Sequence, residues 1–119
     1  MPVAHTDFRN ALQNNNIIEI SVIGRTSGRR IVLPIWFALD GDKLYLIPVK
    51  GSDTAWYKNL RKTPTIGLRS GEKMLTASVH ILTERTQLEA VLEKFRARYG
   101  RNVESYYPKY DVAVEVPLE

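Results

Sequence analysis

Two periods run through the apolar positions of this chain. A β-branched run, Ile17 to Ile23 (IIEISVI), predicts a strand. Arg30 to Leu39 is a long continuous apolar run and predicts a second, buried strand, with Pro34 inside it pointing to a bulge or an edge position. From Lys43 to Val49 the residues alternate, with Leu44, Leu46 and Pro48 on one side and Tyr45, Ile47 and Val49 on the other. Thr65 to Arg69 predicts a fourth strand. Lys73 to Leu82 predicts a fifth, setting Leu75, Ala77, Val79 and Ile81 against Thr76, Ser78 and His80. Tyr110 to Val116 closes the set and is ended by Pro117.

The helical period appears three times. Phe8, Ala11 and Leu12 predict a short helix over residues 6–12, capped by Thr6 or Asp7 and ended by the asparagine run at 14–16. A second helix is expected over 54–61, with Ser52 or Asp53 as N-cap and Thr63-Pro64 as its stop. The third is the strongest, with Leu88, Val91, Leu92, Phe95 and Tyr99 on one face. Thr86 and Glu89 suggest a capping box for it, and Gly100 a C-terminal cap. Asp40-Gly41-Asp42 and Ser70-Gly71 are tight-turn signals, so the pairing is expected to be antiparallel. The fold class is therefore mainly β with flanking helices, arranged as a six-stranded antiparallel barrel or curled sheet in a single domain over residues 1–119.

Composition narrows the chemistry. There is no cysteine, which removes disulfides, thiolate metal sites and thiol nucleophiles. His5 and His80 are far apart without metal-ligand spacing, so no metal is expected, and His80 reads as structural. No apolar run reaches the roughly 20 residues of a membrane span, and the N-terminus has no signal-peptide core, so the expected location is cytoplasmic. The 17 basic and 13 acidic residues leave a net charge of +4, which favours an anionic partner.

Placement of the charge matters more than its sum. Gly24 to Phe37 (GRTSGRRIVLPIWF) joins a cationic turn to an apolar run. Arg25, Arg29 and Arg30 suit phosphate or carboxylate, Ser27 adds a hydroxyl, and Gly24 and Gly28 permit close backbone approach. Lys50-Gly51-Ser52 is a second anion-seeking loop just before a helix. If the second and third strands pair, both loops meet at one rim. Trp36, Trp56, Tyr57, Tyr106, Tyr107 and Tyr110 are candidates to bound a planar ring. Ser27 stands one place too late for a nucleophile elbow, and no Walker loop, dinucleotide fingerprint or carboxylate pair is present. No catalytic side chain emerges, so an enzyme of this kind would rely on a cofactor.

The ordered set Gly24-Arg25, Ser27-Gly28, Pro34, Asp40-Gly41, Lys50-Gly51, Trp56, Asn59-Leu60 and Pro64 resembles the deazaflavin (coenzyme F420)-dependent nitroreductase family of the split β-barrel flavin-binding superfamily. The resemblance covers residues 18–82 well and the C-terminal third more loosely. It implies an FMN-binding or pyridoxamine phosphate oxidase-like split barrel. It also implies that Arg25, Ser27, Gly28, Lys50 and Gly51 contact the coenzyme phosphate, and that Tyr106, Tyr107 and Tyr110 bound a substrate pocket. Arg29, Arg30 and Ser52 join the proposed phosphate end, and Trp36, Pro48 and Val49 flank the ring. The family often carries arginine where this chain has Ile31; Arg30 is adjacent, but one residue along a strand reverses the face.

The expectation is a deazaflavin-dependent oxidoreductase passing a hydride to a small electron-poor acceptor such as a quinone, an enone or a nitro compound. Alternatives are an FMN-binding flavoreductase on the same fold and a non-catalytic cofactor- or small-ligand-binding protein. A nucleic-acid partner is not expected, because Lys94, Arg96 and Arg98 do not share one face of their helix. A homodimer fits the superfamily.

Overall fold

The computed structural model describes residue 12 and residues 17–118. The chain order is β1 (Ile17–Ile23), β2 (Arg30–Trp36), β3 (Ala38–Asp40), β4 (Lys43–Leu46), α1 (Ala55–Lys62), β5 (Thr65–Ser70), β6 (Lys73–Ser78), β7 (His80–Leu82), α2 (Arg85–Tyr99) and β8 (Ala113–Pro117). Short 3-10 turns, Gly51–Asp53 and Arg101–Tyr106, precede α1 and follow α2. The helix expected over 6–12 lies outside the described residues except for Leu12, which is buried in the core.

The strands form two four-stranded antiparallel sheets, β2-β1-β5-β6 and β3-β4-β8-β7. The six strands expected from sequence become eight, and the ladders describe two sheets rather than one closed barrel. Two predicted strands each break once, where the chain passes from one sheet to the other. At Phe37 the ladder is replaced by the Tyr99 hydroxyl, which accepts from Phe37 N–H at 3.2 Å and donates to Phe37 O at 2.5 Å. At Val79 the N–H donates to Pro64 O at 2.9 Å. A buried backbone group must find a partner, and each corner supplies one from another part of the chain.

Between the sheets lies the main core. Ile18, Ile20 and Val22 of β1 and Ile66 and Leu68 of β5 meet Leu44, Leu46, Val114 and Val116. The second sheet is buried on its other face too, where Tyr45, Ile47 and Ala113 pack under Val91, Leu92 and Phe95 of α2. The alternation seen over 44–47 is thus a division of one strand between two cores. Leu88 and Tyr99 extend the predicted face of α2.

Several expected boundaries and environments change. β2 is not a buried strand: it is an edge, with Ile31 41% and Val32 49% exposed, and an edge strand tolerates Pro34 because one side of its ladder is unused. β4 stops at Leu46, short of Pro48, which cannot donate to a ladder, and β8 begins at Ala113 rather than Tyr110. Thr54, not Ser52 or Asp53, stands at the start of α1, and α2 begins at Arg85 behind Glu84 without the Thr86 capping box.

Candidate functional site: an aromatic cleft between two loops

The Gly24–Arg29 turn closes on itself through Gly24 N–H to Arg29 O at 2.8 Å and Gly28 N–H to Gly24 O at 2.9 Å. Gly28 takes φ +70, a conformation that disfavours any other residue. The Ser27 hydroxyl accepts from Arg29 N–H at 3.1 Å. The turn is then pinned to α1. Arg25 N–H and Nη1 both donate to Asn59 Oδ1, at 3.1 and 2.7 Å, Nη1 reaches Ala55 O at 3.3 Å, and Lys62 Nζ donates to Arg25 O at 2.8 Å. Asn59 is 4% exposed, so its amide oxygen is held as a buried acceptor for this turn. The sequence marks it as part of the Asn59-Leu60 pair in the family-like set, but assigns it no role beside the apolar stripe Trp56, Tyr57 and Leu60.

The Lys50–Ser52 loop lies at the N-terminal end of α1, with Lys50 N–H donating to Thr54 Oγ1 at 2.8 Å. It reaches that place without strand pairing, since β2 and β4 belong to different sheets. Ser52 directs its N–H to Asp111 Oδ1 at 2.9 Å and its hydroxyl to Asp111 Oδ2 at 2.6 Å. Lys109 Nζ joins Asp53 Oδ2 at 2.8 Å. Burial alone pushes the Asp111 carboxyl up, but the Ser52 bonds and the Lys109 ammonium together hold it below the usual carboxylate range. Asp111 sits 59 residues from Ser52, and no local pattern announces it.

The side chains of Arg29, Arg30 and Lys50 are exposed and have no hydrogen-bond or ion-pair partner among the described residues. Arg30 pairs with Ile23 and so projects to the outer face of its sheet, while Ile31 lies on the face shared with Val22. Residues 20–39 and 54–71 contain no acidic side chain, yet carry Arg25, Arg29, Arg30, Lys58, Arg61, Lys62 and Arg69. Arg25 and Lys62 link the two segments, so the charge of Arg25, Lys58, Arg61 and Lys62 is gathered along α1, while Arg69 pairs with Glu19 at 3.7 Å.

Beside these loops, the sandwich opens into a cleft of about 350 Å³. Leu33 to Trp36 of β2 form one side, and Ile47, Val49, Trp56, Tyr106 and Tyr107 form the other walls. Trp36 stacks on Tyr99 at 4.8 Å between ring centroids and meets Tyr106 edge-on at 5.1 Å. Tyr106 is 57% exposed at the mouth, whereas Tyr107 is buried edge-on against Phe95, and burial pushes its hydroxyl well above the ordinary range. Of the candidate residues, Trp36, Val49, Tyr106 and Tyr107 line the cleft and Pro48 and Lys50 adjoin it in sequence. Tyr110 is turned away, its hydroxyl donating to Leu88 O. Trp56, an aromatic candidate without an assigned place, supplies a wall. His80 lies elsewhere, its Nδ1 3.3 Å from Glu115, which also accepts from the Tyr45 hydroxyl. Among the described residues no cluster of histidine and acidic side chains forms a metal site.

The architecture is shared with several solved structures at low identity. An F420-H2 dependent reductase matches with TM-score 0.68 and 20% identity, over 86% of this chain and 94% of its own. The heme storage protein HutZ from Vibrio cholerae gives 0.73 and 12%, over 96% and 89%. A candidate pyridoxamine 5'-phosphate oxidase from Listeria innocua gives 0.70 and 13%, over 94% and 90%. These establish a pyridoxamine phosphate oxidase-like fold. Within it, the chain belongs to the family described as "Uncharacterized protein conserved in bacteria (DUF2255)", whose model matches residues 10–114. Among curated proteins, none matches the chain.

Proposed function

We propose that this protein is an oxidoreductase that binds a flavin-like cofactor with an anionic tail, coenzyme F420 or alternatively FMN, in the aromatic cleft. The observation that carries this reading is an apolar, tryptophan- and tyrosine-walled cleft with the exposed Lys50 directly following its Val49 wall. The planar ring lies against Trp36, Trp56 and Tyr106 beside Pro48 and Val49. The phosphate end would meet the Arg29 and Lys50 side chains, with the turns of Arg25, Ser27, Gly28, Gly51 and Ser52 presenting them, whereas Arg30, turned to the outer face of its sheet, stands away from the cleft. When bound, the ring supplies the hydride chemistry, with a small electron-poor molecule such as a quinone, an enone or a nitro compound as acceptor. The chain orients the two reactants and excludes water through the apolar walls, which is positioning rather than acid–base work.

A heme reading is less well served. The residues lining the cleft include no histidine or methionine, and the chain has no cysteine, leaving only tyrosine among the usual axial ligands. A non-catalytic binder of the same cofactor is the remaining alternative. It predicts binding without turnover across a panel of acceptors.

Titration of the protein with F420 and with FMN over a range of salt concentrations tests the proposal. Binding of at least one, weakened by salt and by Arg29→Ala or Lys50→Ala about tenfold each, is expected for a charge-assisted phosphate contact. Binding of neither cofactor would sink the reading.

The protein is also proposed to form a homodimer through the outer face of the β2-β1-β5-β6 sheet. No described element covers this face, which exposes Ile17, Val32 and Met74 around a shallow hollow. Sedimentation equilibrium of the protein and of Met74→Lys checks it, with a monomer in both cases as the adverse result.

A further inference from the structure

The Gly51–Asp53 turn presents an amide and a hydroxyl suited to an anion, and the chain fills that place itself. Ser52 gives both donors to the two oxygens of Asp111, at 2.9 and 2.6 Å. Gly51, at φ +57, lies so close beneath that a Cβ would collide with Asp111 Oδ1 and Lys109 O. On its far side Asp111 is firmly based. Residues 107–111 are tied to α2 by Tyr107, buried edge-on against Phe95, and by the Tyr110 hydroxyl, which donates to Leu88 O.

The turn is tied equally closely to the cleft. Val49 lines it, Lys50 N–H bonds Thr54 Oγ1, and Trp56 forms a wall two residues further on. A chain of contacts thus runs from α2 through Asp111 and Ser52 to the wall made by Val49 and Trp56. We propose that Asp111 is a positioning residue: its carboxylate fixes the Val49–Trp56 wall and so sets the width of the aromatic cleft, and it keeps the Ser52 position in the working protein. The proposal rests on the cleft being the ligand site. It adds that a ligand's anionic group is met by the Arg29 and Lys50 side chains and not by the Ser52 donors.

The chain's two tryptophans both line the cleft, and they stand at different distances along this chain of contacts. Trp56 belongs to the wall held by the turn. Trp36 is stacked on Tyr99 of α2 and is held independently. Acrylamide quenching of single-tryptophan variants therefore separates a local change from a general loosening. With Trp36→Phe as background, Asp111→Ala is expected to raise the quenching constant of Trp56 about twofold, as a wall freed from one anchor opens locally. With Trp56→Phe as background, the constant for Trp36 is expected to stay unchanged. Ser52→Ala should raise the Trp56 constant, and adding it to Asp111→Ala should add nothing, because the two side chains make one contact. Asp111→Asn should restore the value, since the new amide can donate to the Ser52 hydroxyl while its oxygen accepts from Ser52 N–H. An equal rise at both tryptophans, or no rise at Trp56 in a variant with native circular dichroism, overturns the proposal. Should Asp111→Ala fail to fold, the Ser52→Ala variant decides alone, and an unchanged Trp56 constant overturns it. The assay contains no cofactor. A cleft that widens as expected but binds neither F420 nor FMN leaves Asp111 in its role and removes the cofactor reading.

Discussion

Single side chains hold this fold at the places where its ladders stop. The Tyr99 hydroxyl satisfies both backbone groups of Phe37 where the chain leaves one sheet for the other. Tyr99→Phe should leave that N–H and C=O without their partner and cost about 1–3 kcal/mol. Urea unfolding monitored by circular dichroism checks this, with a lower midpoint and an unchanged slope as the expected result. Tyr45 is a second case. Burial, and then the hydrogen bond and charge of Glu115, push its hydroxyl from 10.0 up to about 12. A raised folded value means that its contribution to stability is complete below pH 10. That contribution is lost as the pH climbs towards 12, because the unfolded chain gives up the proton first. Alkaline unfolding should therefore steepen across that window, and Tyr45→Phe should flatten its pH dependence. Equal slopes for the two proteins would contradict the assignment.

At the scale of elements, turns with the same backbone conformation do different work. Gly51 and Gly71 have φ of +57 and +63. Gly71 closes the β5–β6 hairpin with nothing within 4 Å of an added Cβ, so Gly71→Ala should cost only the left-handed backbone term, about 1–2 kcal/mol. Gly51 also lies against Asp111 and Lys109, and Gly51→Ala must push that segment away. Its loss should exceed that of Gly71→Ala by about 1 kcal/mol or more, judged by the costs of overpacking. Thermal melts of the two variants compare them directly, and equal shifts would show that the 109–111 segment yields freely. The edge strand β2 makes a related point. Its composition is that of a core strand, yet Ile31 and Val32 are exposed because no ladder lies beyond it, and Pro34 and Arg30 guard the open side.

Over the whole molecule, charge and apolar surface are separated in a way that orders function. A net +4 is modest, but Lys58, Arg61 and Lys62 of α1 and Arg25 of the turn pinned to it gather four cations along one helix, and the acid-free segments 20–39 and 54–71 hold no carboxylate among them. Such a field raises the local concentration of an anionic ligand and falls with ionic strength. The association rate for FMN or F420 should therefore drop with added salt more steeply than the dissociation rate rises. Stopped-flow fluorescence of Trp36 and Trp56 measures both, and a salt-insensitive association rate would speak against electrostatic capture.

Periodicity in the sequence was enough to place β1, β5, the apolar face of α2 and both glycine hairpins, because these depend on local pattern and turn chemistry. It also named Trp36, Val49, Tyr106 and Tyr107, four residues that meet at the cleft, through their aromatic character and their resemblance to a known family. It did not reveal the breaks at Phe37 and Val79, since the residues there continue the apolar pattern. What ends those strands is a hydroxyl 62 residues away in one case and the Pro64 carbonyl in the other. The roles of Asn59 and Asp111 were hidden for the same reason. A lone amide in a helix and a lone carboxylate in a loop have no local signature, and only the approach of distant segments makes Asn59 a buried acceptor for Arg25 and Asp111 an acceptor for Ser52. By itself the sequence determined the mainly β class and the supply of aromatic and cationic groups, which follow from short-range sterics and composition. Tertiary structure alone decided which donors were spent inside the chain and which cations were left exposed beside the cleft, because hydrogen-bond partnership is a property of three-dimensional proximity.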